Sequence, residues 1–126
     1  MSTEIDLISR LSAATGPSRE LDGEIALANG WTQERDRFVG DCWKSPRGRY
    51  QSGPPRFTES IDAALTLVPE GYGFMIRYHE TADGKMRACC SLLGCNGVGD
   101  TWDVWGNTPA IAIAIACLKA KEDSNP

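Results

Sequence analysis

Near the end of the chain, a Thr108-Pro109 pair is followed by an unbroken apolar run from Ala110 to Leu118, which limits the possible folds more than any other segment. Isoleucine recurs at every second position of Ala110-Ile111-Ala112-Ile113-Ala114-Ile115-Ala116-Cys117-Leu118, so period alone does not separate strand from helix. A threonine cap, a proline at the first helical position, the alanines, and Lys119 and Lys121 at the far end decide for a helix over 108–121. On that helix Ile111, Ile115 and Leu118 share one face, with Ile113 and Cys117 nearly opposite. A helix that is apolar all round must be covered all round. Either a sheet and another helix enclose it within the chain, or a second subunit covers it; the second possibility makes a homo-oligomer the expected state.

The other elements follow from local patterns. Ile5, Ile8 and Leu11 recur at helical spacing over 3–13, and Thr15-Gly16-Pro17-Ser18 interrupts them. A second helix runs through Leu21, Ile25 and Leu27 to Asn29-Gly30, giving a helical hairpin over 3–29. Thr58 or Ser60 caps a short helix through Ile61, Ala64 and Leu65, closed by Pro69-Glu70-Gly71. Between these helices only a short strand near 38–43 is expected. Gly48, Gly53 and Pro54-Pro55 speak against regular structure in the loop that follows.

Two apolar runs, Tyr72–Tyr78 and Met86–Leu93, flank Asp83-Gly84, a strong hairpin signal. With that pair at the centre of a two-residue turn, Phe74 faces Leu93, Tyr78 faces Cys89, and Glu80 faces Arg87 as an ion pair. A third short strand is expected over 100–105. The sum is an α+β fold: a small antiparallel sheet with a central hairpin over 72–93, packed with helices in a sandwich-like single domain over 1–126. The tail from Glu122 is expected to fray.

Composition narrows the class. In 126 residues, 41% hydrophobic and 24% charged content suit a globular protein. No apolar run approaches the ~18 residues of a membrane span. The opening Met1-Ser2-Thr3-Glu4-Ile5-Asp6 has no signal-peptide layout, and five cysteines without framework spacing read as reduced thiols. A cytoplasmic location is expected, with no membrane partner.

Charge is unevenly placed. Between Asp41 and Glu59 lie Lys44, Arg47, Arg49 and Arg56 and no acid, within a chain of net charge −4. Taking these four away leaves the rest at −8. Trp43, Tyr50 and Phe57 are interleaved with the cations, so this loop over 43–57 has the residue types that stack on a planar base and grip phosphates. Trp43, Lys44, Arg47, Arg49, Tyr50 and Arg56 are the candidate ligand-binding residues. The bland alternative is a solvated loop whose arginines pair with acids of the same chain.

Other chemistry is poorly supported. Cys89 and Cys90 are adjacent on a strand and point to opposite faces, so they cannot share one metal ion. In the expected register Cys90 is a diagonal neighbour of His79, which sketches a thiol–imidazole pair, with Cys95 nearby; neither a metal site nor a nucleophile is assigned. Asp100, Asp103, Glu59 and Asp62 have no partner at a fixing distance, and Asp62 suits the first turn of its helix. The Gly94-Cys95-Asn96-Gly97-Val98-Gly99 run lacks the lysine and helix start of a phosphate-cradling loop. Trp102 and Trp105 read as core or subunit contacts. The strand-strand-strand-helix order also occurs in double-stranded-RNA-binding modules. Those start their last helix with lysines; here no cation follows Thr108 until Lys119. With the acidic net charge, nucleic acid is not expected as a partner. No catalytic residue, metal or cofactor is assigned.

Several blocks together resemble a known family. Leu11-Ser12-Ala13-Ala14-Thr15-Gly16-Pro17-Ser18-Arg19-Glu20-Leu21-Asp22 with Glu24-Ile25-Ala26 form the first. Pro55-Arg56-Phe57-Thr58, Ser60-Ile61-Asp62-Ala63-Ala64-Leu65 and Val68-Pro69-Glu70-Gly71 form the middle, and Thr108-Pro109-Ala110 the last. They resemble the phage α-β-α (ABA) sandwich domain family, over nearly the whole chain apart from 86–105. The resemblance implies a small α/β sandwich made from a phage or prophage gene in a bacterial cytoplasm, and it carries no catalytic residue across. The expected function is a non-enzymatic accessory binding protein that holds a small anionic, nucleotide-type ligand or a host protein. A small hydrolase acting on an anionic substrate, or a virion or assembly component, are the alternatives.

Overall fold

The computed structural model describes residues 3–38, 40–68, 71–84, 86–93 and 101–124. Helices α1 (Thr3–Ala13) and α2 (Arg19–Ala28) form the expected helical hairpin. Ser18 caps α2 by accepting from the Leu21 amide, and Gly30, at φ 90°, turns the chain away after the Asn29 cap.

The segment after it is more regular than its composition suggests. Strands β1 (Thr32–Asp36), β2 (Gly40–Lys44) and β3 (Tyr50–Gln51) make an antiparallel sheet in that order. The sequence Thr-Gln-Glu-Arg-Asp in β1 has no apolar alternation, so only its pairing with β2, from Thr32 opposite Lys44 to Asp36 opposite Gly40, makes it a strand. Trp43 attaches this sheet to the helices: its ring would lie 3.4 Å from a Cβ placed on Gly23 of α2. Helix α3 (Ile61–Leu65) starts at Ser60, whose hydroxyl accepts from the Ala63 amide. Thr58, the other candidate cap, is engaged elsewhere.

The second sheet comprises β4 (Gly73–Glu80), β5 (Met86–Leu93) and β6 (Thr101–Gly106), antiparallel in that order. Its register differs by one residue from the expected one. Phe74 faces Leu92, Tyr78 faces Ala88, His79 faces Arg87 and Glu80 faces Met86, so the expected Glu80–Arg87 pair does not form across the strands. The turn explains the slip. Gly84 N donates to Thr81 O, which makes Asp83-Gly84 the last two positions of a Thr81–Gly84 turn, with Gly84 at φ 81°. Asp-Gly satisfies either turn, and a shift of one residue exchanges the faces of the sheet.

Helix α4 (Pro109–Ser124) is the centre of the core. Thr108 caps it as expected, its hydroxyl accepting from the Ile111 amide. One side of α4 lies on β5 and β6, and the other meets α1 and α3. On the sheet side, Gly106 comes so near that a Cβ there would lie 2.7 Å from Ala112 N, and Cys117 is close enough to Cys90 to feel its charge. Ile111, Ile113, Ile115 and Leu118 are all buried within the chain. The helix is therefore enclosed by its own sheet and helices and supplies no ground for a second subunit. The layers run sheet, central helix, outer helices. No helix of the described residues is long and apolar enough to cross a membrane.

Candidate functional site

The cationic segment is divided by the fold. Trp43, only 8% exposed, and Phe57, fully buried, belong to the core, so neither can serve as a stacking surface. Trp43 is the large apolar residue through which β2 docks on α2. Arg56 is clamped on Glu59, Nη1 to Oε2 at 3.0 Å, as the bland reading expected. Trp43 and Phe57 therefore leave the candidate site, and Arg56 stands apart from it in an exposed ion pair.

Lys44, Arg47, Arg49 and Tyr50 remain together on the β2–β3 hairpin. Ser45 N donates to Arg49 O at 2.7 Å, Gly48 N to Ser45 O at 2.9 Å, and Arg49 N to Ser45 Oγ at 3.0 Å. Pro46 takes the second turn position and Gly48, at φ 88°, the left-handed one, which is why Ser-Pro-Arg-Gly folds tightly here. The Pro46 ring packs beneath Gly30, 3.3 Å from where a Cβ would sit, and holds the tip against the α2–β1 turn. Tyr50 is 60% exposed, and Lys44 Nζ lies 5.6 Å from its ring centre. Among the described residues no acid pairs with Lys44, Arg47 or Arg49. The result is a rigid turn that presents three cations and one exposed aromatic ring.

The far end of the segment is fixed by a buried polar network. Asp22, 1% exposed, accepts on Oδ1 from the Thr58 amide and hydroxyl, both at 2.7 Å, and on Oδ2 from Arg19 Nη1 at 2.8 Å. The Thr58 hydroxyl accepts in turn from Ser18 N at 2.8 Å, and Arg19 Nη2 donates to Pro54 O at 2.9 Å. The start of α2 thereby anchors residues 54–58.

The register correction redraws the thiol–imidazole pair. Cys90 faces Ile76 on the α4 side of the sheet, whereas His79 faces Arg87 on the other side. Burial pushes the Cys90 thiol up to about 11 and the Cys117 thiol to about 12, away from nucleophilic character. Cys89 is the thiol on the face of His79; it is fully buried, and Arg77 Nη2 lies 3.9 Å from its Sγ. His79 is exposed at the surface, where its ring meets Trp105 edge-on at 5.1 Å, and the Arg87 guanidinium lies 6.0 Å from the same indole. This cluster of Arg77, His79, Arg87 and Trp105 was invisible in the sequence, because its assembly depends on the register and on where β6 pairs.

Cys95, Asp100 and the 94–99 glycine run lie outside the described residues, as do the side chains of Trp102 and Asp103. Asp62 sits in the first turn of α3 as expected. Among the described residues no group of three His, Cys, Asp or Glu side chains is placed to hold a metal ion. A cleft of about 490 Å³ opens beside the α1–α2 turn, but its cation, Arg10, is bound to Glu20 and Glu24. Compared with family models, with curated proteins and with solved structures, the chain matches none.

Proposed function

We propose that this protein works by holding a small anionic ligand of nucleotide type on the β2–β3 hairpin, and that it transforms nothing. In this reading it is an accessory binding protein of the phage kind that its sequence resembles. One observation carries the proposal: the Ser45–Arg49 turn holds Lys44, Arg47 and Arg49 beside an exposed tyrosine ring, with no acidic partner among the described residues. Guanidinium groups suit bidentate contact with phosphate, and a phenol ring suits a base. The surrounding negative charge favours a local, small ligand over a polyanion, whose length would bring it against the acidic body.

The test is a thermal-shift and equilibrium-dialysis screen against mono-, di-, cyclic and ADP-ribose-type nucleotides. A ligand at one hundred times its Kd adds about 2.7 kcal/mol of stability, roughly 10 °C for a domain of this size. The expected result is such a shift, lost in an Arg47→Ala/Arg49→Ala variant of unchanged melting temperature, with the ligand recovered intact. No shift at millimolar ligand, or a shift indifferent to both substitutions, refutes it. Turnover of the ligand that disappears in Cys89→Ser or His79→Ala would establish the hydrolase reading instead.

A further inference from the structure

Among the described residues four strands form the edges of the two sheets, and three of them discourage pairing with another chain. β1 presents Gln33, Glu34 and Arg35. β3 is two residues long. β6 falls out of step with β5 at an irregularity between Cys90 and Leu92. Charge, shortness and irregularity are the ordinary means by which sheet edges avoid association. β4 is neither short nor irregular, and its charges, Arg77 and Glu80, leave the run from Gly73 to Ile76 without any. Its eight residues contain no proline, pair with β5 without a register shift, and leave Phe74, Met75 and Tyr78 at 47%, 42% and 57% exposed.

We propose that β4 pairs with β4 of a second copy, antiparallel about a two-fold axis through Ile76, so that two three-stranded sheets join into one of six strands. The sequence of β4 is self-complementary about that point. Residues equidistant from Ile76 lie opposite one another, so Ile76 meets the partner's Ile76, and Phe74 meets the partner's Tyr78 twice over. Phe74, Ile76 and Tyr78 share one face, which makes an apolar stripe across the junction. On the other face Arg77 lies opposite the partner's Met75, and His79 opposite the partner's Gly73. Neighbouring registers are worse. An axis at Arg77 sets two guanidinium groups face to face and Phe74 against Glu80; an axis at Met75 leaves Tyr78, His79 and Glu80 without a strand residue to face. This dimer rests on β4 alone and is independent of the hairpin ligand.

Size-exclusion chromatography with light scattering, on the full chain between about 10 and 200 µM, is expected to give twice the 13.7 kDa chain mass. Phe74→Lys/Tyr78→Lys alters two exposed side chains and sets lysines against lysines across the axis. It is expected to be a monomer with an unchanged circular dichroism spectrum. Register is read separately by oxidative cross-linking in a Cys95→Ser background. Opposed residues in antiparallel strands lie about 4.5–5.5 Å apart at Cα, within disulfide reach, so Ile76→Cys is expected to cross-link and Arg77→Cys is not. A monomer throughout the concentration range overturns the proposal, as does a dimer that survives the double lysine variant. Cross-linking through Arg77→Cys in preference to Ile76→Cys does the same.

Discussion

Asp22 and Thr58 are separated by 36 residues and joined by two hydrogen bonds in the interior. Nothing in the local sequence around either residue states that they touch. A buried carboxylate is tolerated only while its partners are present, because its desolvation is offset by those bonds alone. Asp22→Ala strands the Thr58 amide and frees Arg19, and is expected to cost about 2–4 kcal/mol. Urea unfolding should show this as a lower midpoint with an unchanged slope. Thr58→Val keeps the amide bond to Asp22 and should cost less. A midpoint unmoved by Asp22→Ala would mean that the network does not hold residues 54–58. At the same scale, Trp43 and Phe57 show why the candidate site was only half legible. A tryptophan beside cations has the composition of a ligand site, and burial alone distinguishes it from an anchor for the sheet.

Elements were read well where a local rule decides them and poorly where pairing does. Caps at Ser18, Ser60 and Thr108 are formed within one turn of chain: Thr108 acts as its sequence suggests, Ser60 rather than Thr58 caps α3, and Ser18 caps α2. β1 and the β4–β5 register depend on a partner strand, so local pattern shows neither the strand at Thr32–Asp36 nor the last residue of register. Helix α4 shows a third case. Its apolar surface requires cover, but the closeness of that cover depends on Gly106 opposite Ala88, two small residues that let Ala112 approach the sheet. Gly106→Ala should force β6 and α4 apart and cost about 1–3 kcal/mol, seen as a lower melting temperature in calorimetry. No loss would show that the approach has slack.

For the whole molecule, the enclosed thiols tie stability to alkaline pH. Cys90 and Cys117 have thiols raised by burial from 9.0 to about 11 and about 12, so the unfolded chain releases these protons first. Their contribution is complete below about pH 9 and is lost as pH rises through 11 to 12. Melting temperature measured from pH 8 to 11 should therefore fall, and fall less steeply in a Cys90→Ala/Cys117→Ala variant. An equal decline would assign it to other groups. Both thiols should also resist alkylation at pH 8 until denaturant is added.

By itself the sequence determined the mixed α+β class, the helices with their caps, the presence of a hairpin over 72–93, and the demand that the last helix be surrounded. Each rests on residues a few positions apart, where rotamer, cap and turn chemistry act without knowledge of the rest of the chain. Tertiary structure alone decided that the chain itself meets that demand, which cations stay free, and which face of the sheet Cys89, Cys90 and His79 occupy. Those outcomes turn on long-range packing and on a one-residue register, and neither leaves a mark on the local pattern.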